Sequence, residues 1–150
     1  MDKKYFDLAF DEAQKAFDLD EVPIGCVIVK DNDIIASAHN MKETECCVTS
    51  HAEILAIQEA SKKLNNWRLE DCDLYVTLDP CPMCASAIKQ SRIKNVYSSL
   101  NNSDQENLSI ISKIFDLNDS TNSKVKFDSN LSVEKSKLIL NKFFKNQRNK

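Results

Sequence analysis

Two short stretches, far apart in the chain, constrain it more than any others: His51-Ala52-Glu53 and Pro80-Cys81-Pro82-Met83-Cys84. They offer one imidazole, one carboxylate and two thiols at i, i+3 spacing. A fold that uses both must bring residues 51–53 and 81–84 to one point. Three protein donors and an open fourth position describe a catalytic zinc, whereas a structural zinc closes its tetrahedron with a fourth side chain. On this reading His51, Cys81 and Cys84 hold one zinc per chain, and the open position takes a water whose pKa zinc lowers to about 7. Glu53, beside that water, is free to take its proton and return it.

Two alternatives stay open at this level. Ser50 with Glu53 three residues on is a capping-box pattern, so Glu53 could simply cap its own helix. A closed structural site would need a fourth ligand from Cys26, His39, Cys46, Cys47 or Cys72, with the adjacent pair Cys46-Cys47 nearest to His51. The 6 cysteines read as metal ligands and buried thiols and not as disulfides, because the start Met1-Asp2-Lys3-Lys4 lacks the apolar segment of an export signal. The expectation is a soluble, cytoplasmic protein forming one domain over residues 1–150, without a membrane span.

The formal net charge of −3 conceals an uneven distribution: all 23 acids lie at or before Glu134, while 6 of the 20 basic residues follow it, so residues 1–134 carry −9 and the tail +6. Basic residues favour a helix C-terminus; a local anion site on an otherwise acidic body reads the same way.

Tyr5, Phe6, Ala9, Phe10, Ala13 and Phe17 recur at helical spacing and predict an amphipathic helix laid on a sheet. Residues 24–30 form a β-branched run, and the turn at 31–33 returns it into residues 34–38 as a hairpin. Gly25, the only glycine, marks a close backbone approach or a bulge. Residues 41–50 read as a loop, and helical periodicity resumes from His51 to about Leu64. A strand over 73–78, a helix from Pro82 to about Arg92, a strand over 95–98, a helix over 108–115 and a weak strand over 124–127 follow. Ser132 is expected to cap a last helix to about 148 that carries Val133, Leu138, Ile139, Phe143 and Phe144, with Leu138 and Ile139 expected to pack on the body. The order α-β-β-α-β-α-β-α-β-α predicts a three-layer α/β/α sandwich with a mixed five-stranded sheet and helices on both faces.

These motifs match the H-x-E and P-C-x-x-C signature of zinc-dependent nucleobase deaminases. Within that superfamily the chain resembles the bacterial tRNA adenosine deaminases. Glu21-Val22-Pro23-Ile24-Gly25, Asn40, His51-Ala52-Glu53-Ile54, Leu74 to Leu78 before the cysteine box, Ser91-Arg92-Ile93 after it, and Phe143-Phe144 with Arg148 all look like that family's segments. The resemblance implies a cytidine deaminase-like fold, zinc on His51, Cys81 and Cys84, and Glu53 as proton shuttle. It also implies deamination of the wobble adenosine in a tRNA anticodon stem-loop, a homodimer, and contact of Asn40 with the target nucleoside. Phe143 and Phe144 then offer rings to unstacked bases, and Lys142, Lys145 and Arg148 offer charge to phosphates. The chain departs from the family's pattern at His39, at Cys47-Val48-Thr49-Ser50 before His51, at Asp79 in place of glutamate, and from Ser98 to Ser103 and on. Two other functions fit the same residues: a deaminase of free cytosine, cytidine or guanine, and a non-catalytic RNA-binding zinc protein.

Overall fold

The strand β1 (Gly25–Lys30) sets the layers of the molecule, because its side chains alternate between two cores. In the computed structural model, which describes residues 1–102 and 104–150, Cys26 and Ile28 point into one apolar cluster, and Val27 and Val29 into another. Burial on both faces explains why this strand is apolar from Cys26 to Val29.

Ten elements follow one another in the expected order: α1 (Lys3–Asp18), β1, β2 (Asp33–His39), α2 (Ala52–Leu64), β3 (Cys72–Val76), α3 (Pro82–Gln90), β4 (Asn95–Ser98), α4 (Gln105–Asp116), β5 (Lys126–Asp128) and α5 (Val133–Arg148). The sheet order is β2-β1-β3-β4-β5. β1 runs antiparallel to β2 and β3, whereas β3, β4 and β5 are parallel. Ala52, Ala56 and Ala60 of α2, Ala85 and Ile88 of α3, and Ile111 and Phe115 of α4 cover one face with Leu74, Val76 and Val96. Tyr5, Phe6, Ala9 and Phe10 of α1 cover the other with Tyr75. Phe143 of α5 joins α1 edge-on through Phe17, with centroids 6.2 Å apart. Among the described residues no helix is long and apolar enough to cross a membrane.

Several local readings resolve. The hairpin turn contracts to Asp31-Asn32, both left-handed at φ 51° and 65°, the two-residue geometry that matches strand twist. The irregularity in β1 lies between Ile28 and Val29, so it does not account for Gly25. A Cβ there would stand 1.9 Å from the Ala9 carbonyl oxygen and 2.6 Å from the Ala13 nitrogen; glycine lets α1 lie on the sheet. The helix expected over 108–115 begins at Gln105, because Asp104 accepts from the Glu106 and Asn107 amides. Ser132 precedes α5 without a side-chain capping bond.

In α5 the expected packing is corrected. Leu138 is 68% exposed, and Ser136, Leu140 and Phe143 face inward instead. The hydroxyl of Ser136 donates to the Thr77 carbonyl at 2.7 Å, so a small polar residue ties the helix to the end of β3. In the stretch after β4 that departs from the family's sequence pattern, Ser103 lies outside the described residues.

Candidate active site

The topology delivers the two motifs to the same edge of the sheet. Gly25 pairs with His39 at the end of β2, and the Thr77 amide donates to the Gly25 carbonyl just past β3. The C-terminal ends of β2 and β3 therefore flank the start of β1 on either side, and α2 and α3 follow from that edge. Crevices at the carboxyl ends of strands are the usual ligand sites of open α/β sheets.

His51 and Cys81 are the N-cap residues of α2 and α3, and neither uses its side chain to cap. The His51 Nδ1 lies 3.7 Å from the Cys81 Sγ and 3.5 Å from the Cys84 Sγ. All three donor atoms fall within 4.8 Å of one another. Ordinary zinc bond lengths at a tetrahedral angle put a nitrogen and a sulfur ligand about 3.6 Å apart, and both nitrogen–sulfur distances match that value. Pro82, which has no N–H to leave unpaired, occupies the first turn of α3. No fourth histidine, cysteine or acidic donor joins the group among the described residues. Cys26 and Cys72 are buried elsewhere, Cys46 and Cys47 are exposed, and the His39 Nδ1 is held 2.6 Å from the Glu12 Oε2.

The two thiols share their protons unevenly. A hydrogen bond from Cys84 is the main reason the Cys81 thiol falls to about 5. That bond, with burial, drives Cys84 upward. Two helix N-termini meeting at this point add positive potential, which favours a thiolate.

Glu53 is 4% exposed on the first turn of α2. Burial is the main cause that pushes its carboxyl up to about 7, with the nearby Cys81 adding to it. The capping box does not form: His51 is the N-cap, and the Ser50 hydroxyl donates to the Glu45 Oε1 at 2.6 Å. Glu53 is thus a buried acid that forms no capping box with Ser50.

Asn40 follows β2 and is 7% exposed. Its Nδ2 donates to the Val22 carbonyl at 3.4 Å, and its Oδ1 accepts from the Lys42 amide at 3.3 Å. The structure does not gather the tail residues into this centre. Phe143 is 6% exposed, while Phe144 is 45% exposed. Phe143 also lines a depression of about 580 Å³ with Val22, Glu43, Thr44 and Gln147. Lys135 pairs with Asp7, and Lys150 with Asp20. Lys142, Lys145 and Arg148 are exposed and make no ion pair among the described residues.

Two anchors of the site had no local signal in the sequence. The buried carboxylate of Glu21 accepts from the Glu43 amide at 3.0 Å and the Thr44 amide at 2.6 Å, fixing the loop before His51. Asp79, next to the cysteine box, accepts from the Ser129 hydroxyl at 2.6 Å and the Asn102 amide at 3.3 Å. An acid beside a proline was visible, but its partners lie 50 and 23 residues away.

Comparison with known proteins agrees with this geometry. The MafB19-like deaminase family matches residues 1–148. A tRNA-specific adenosine deaminase of Aquifex aeolicus is 43% identical over 152 residues, covering 99% of this chain and 98% of that protein. A Bacillus subtilis protein of the same name is 54% identical over 63% of this chain and 59% of its own length. Among solved structures, a tRNA:A34 deaminase studied for A-to-I editing at the wobble position superposes with a TM-score of 0.84 at 36% identity, covering 93% of this chain and 100% of that one. Guanine deaminase of Bacillus subtilis superposes less fully, with a TM-score of 0.65 at 35% identity over 73% and 71%. With its site, fold and sequence in agreement over nearly its full length, the chain belongs to the MafB19-like deaminase family and groups there with the tRNA-specific adenosine deaminases.

Proposed function

We propose that this protein deaminates adenosine to inosine at the wobble position of a tRNA anticodon, adenosine and water giving inosine and ammonia. The observation that carries the reading is the triangle of His51, Cys81 and Cys84 donors beside a buried glutamate. In this reading those three residues hold one zinc per chain. Zinc in such an open site supplies Lewis acidity and a water that ionises near neutral pH.

Glu53 moves the protons. Its carboxylate takes the proton released as the water oxygen bonds to C6 of the adenine ring, and delivers it to N1. It then carries a second proton to the departing amino nitrogen; the C6–N bond breaks, and ammonia leaves. Burial holds this carboxyl away from bulk water, so its protons pass to the substrate. Asn40 binds the nucleoside: its two internal hydrogen bonds are long, and a substrate competes for the same amide. Lys142, Lys145 and Arg148 hold phosphates of the anticodon stem-loop, and Phe144 presents the exposed ring on which a base stacks. Phe143 supports that ring at a centroid distance of 5.4 Å.

Zinc-loaded protein incubated with total tRNA, and in parallel with free adenosine, cytidine, cytosine and guanine, tests the reading by mass spectrometry. Inosine in tRNA, with the free compounds unchanged, is expected. Guanine deamination without tRNA inosine would transfer the assignment to the second reading, which the likeness to guanine deaminase favours. The proposal includes a homodimer in the cytoplasm, where tRNA is met; light scattering that returns a monomer at every accessible concentration removes the dimer.

A further inference from the structure

Four cysteines lie outside the donor triangle, and they divide into two kinds. Cys26 and Cys72 are buried, and burial raises both thiols, Cys72 to about 11. Cys46 and Cys47 are adjacent and exposed, although a free cysteine is ordinarily among the most buried residues. They lie in the loop that joins Asn40 to His51. This loop is tied down at both flanks: the Met41 amide donates to the Ser50 carbonyl at 2.9 Å, and Glu21 holds the Glu43 and Thr44 amides.

The backbone at this pair is unusual in composition as well. Nine non-glycine residues adopt left-handed φ among the described residues; seven are aspartate or asparagine, which tolerate it, and Cys46 at 49° is one of two exceptions. A thiol stands where this chain otherwise places an amide or a carboxylate. The Cys47 Sγ lies 3.2 Å from the Thr49 Oγ1. Hydrogen bonds from Thr49 and Ser50 hold its thiol below the ordinary cysteine value. The Cys46 Sγ is occupied by a weak bond to the Glu43 carbonyl at 3.6 Å.

We propose that Cys46-Cys47 is a thiol-modification site for low-molecular-weight disulfides, with Cys47 as the attacking sulfur and Cys46 as the resolving one, and that its state controls the loop between Asn40 and His51. In the first step the Cys47 thiolate bonds to one sulfur of R–S–S–R. That S–S bond breaks, and RS⁻ leaves and takes a proton. Cys46 then loses its proton to solvent and attacks the Cys47 sulfur, expelling the second RS⁻ and closing a disulfide between neighbours. Two protein thiols are oxidised, and one small disulfide is reduced to two thiols. Neighbouring Cα atoms are about 3.8 Å apart, shorter than the usual disulfide range of about 4.4–6.8 Å. The ring is therefore strained, which places it among the labile, reversible disulfides.

Oxidised glutathione is the probe, applied to zinc-loaded protein and followed by intact mass and peptide mapping. The wild type is expected to pass through one glutathione adduct on Cys47 and end two hydrogens lighter. Cys46→Ser stops at the mixed disulfide, and Cys47→Ser is labelled at least tenfold more slowly. Labelling of Cys47→Ser at the wild-type rate, labelling mainly at Cys81 or Cys84, or a wild type that stops at the adduct would overturn the assignment. The link to catalysis rests on the proposed tRNA deamination and is read separately. Treated wild type should lose most of its inosine formation and regain it with dithiothreitol, while the Cys46→Ser/Cys47→Ser double variant is unaffected. Full oxidation with undiminished inosine formation would overturn control of the loop. A protein inactive on tRNA from the outset leaves the mass measurements to decide the site alone.

Discussion

The donor triangle and the C-terminal helix both concentrate ionisable groups, in opposite physical settings. At the triangle, Glu53 and Cys84 are 4% and 0% exposed, and the groups perturb one another strongly. On α5, Lys142, Lys145 and Arg148 stand in solvent, where salt screens charges beyond roughly a Debye length of 8–10 Å. Low polarizability makes each atom of the buried centre matter; solvent makes the helix additive and tolerant. The first region suits chemistry on one base, the second a grip on a polyanion.

The largest effect expected falls on the triangle. Cys84→Ser should lose its zinc and with it all measurable deamination, checked by metal analysis beside a tRNA assay; retention of one zinc per chain would remove Cys84 from the ligand set. Glu53→Ala tests the same region without touching a donor. It should keep the metal and the melting temperature yet lose about a hundred- to ten-thousand-fold in turnover, about 3–5 kcal/mol of barrier. Near-normal turnover would erase the contrast between the two regions.

Phe143 and Phe144 place the boundary between the settings within two adjacent residues. Phe143→Ala should cost about 3 kcal/mol or more of stability, the usual loss for a buried phenylalanine, read as a lower denaturation midpoint. Phe144→Ala should leave that midpoint in place and weaken tRNA binding by about 1–3 kcal/mol. Equal effects of the two on stability would make the whole helix a packed lid. Changing Lys142, Lys145 and Arg148 together to glutamine gives the mildest change per residue. The slope of log affinity against log salt should fall by about 2 if all three touch phosphate, with zinc content and melting temperature unaltered. An unchanged slope would leave the tail a solvated helix and favour a small substrate.

Much of this was legible before any coordinates. The ten elements follow from periodicity, since alternation and helical spacing are local and the two-faced burial of β1 leaves its mark as a continuous apolar run. The meeting of His51, Cys81 and Cys84 was legible because their donor types and spacings are those of a metal site. The reading failed where a side chain's role depends on distant partners. Ser50 and Glu53 had capping spacing, yet Ser50 turned to Glu45. Leu138 looked like core by composition and is exposed, while Ser136 is buried because it meets Thr77, 59 residues away.

The sequence by itself determined which groups could do the chemistry and in what order helices and strands succeed one another, because donor identity and periodicity are properties of short segments. Only the tertiary structure decided that Gly25 serves the approach of α1 and not a bulge. Only it set Phe143 inward and Phe144 outward, and hung the site on Glu21 and Asp79. Those outcomes depend on which surfaces meet across long stretches of chain, and no short segment carries that information.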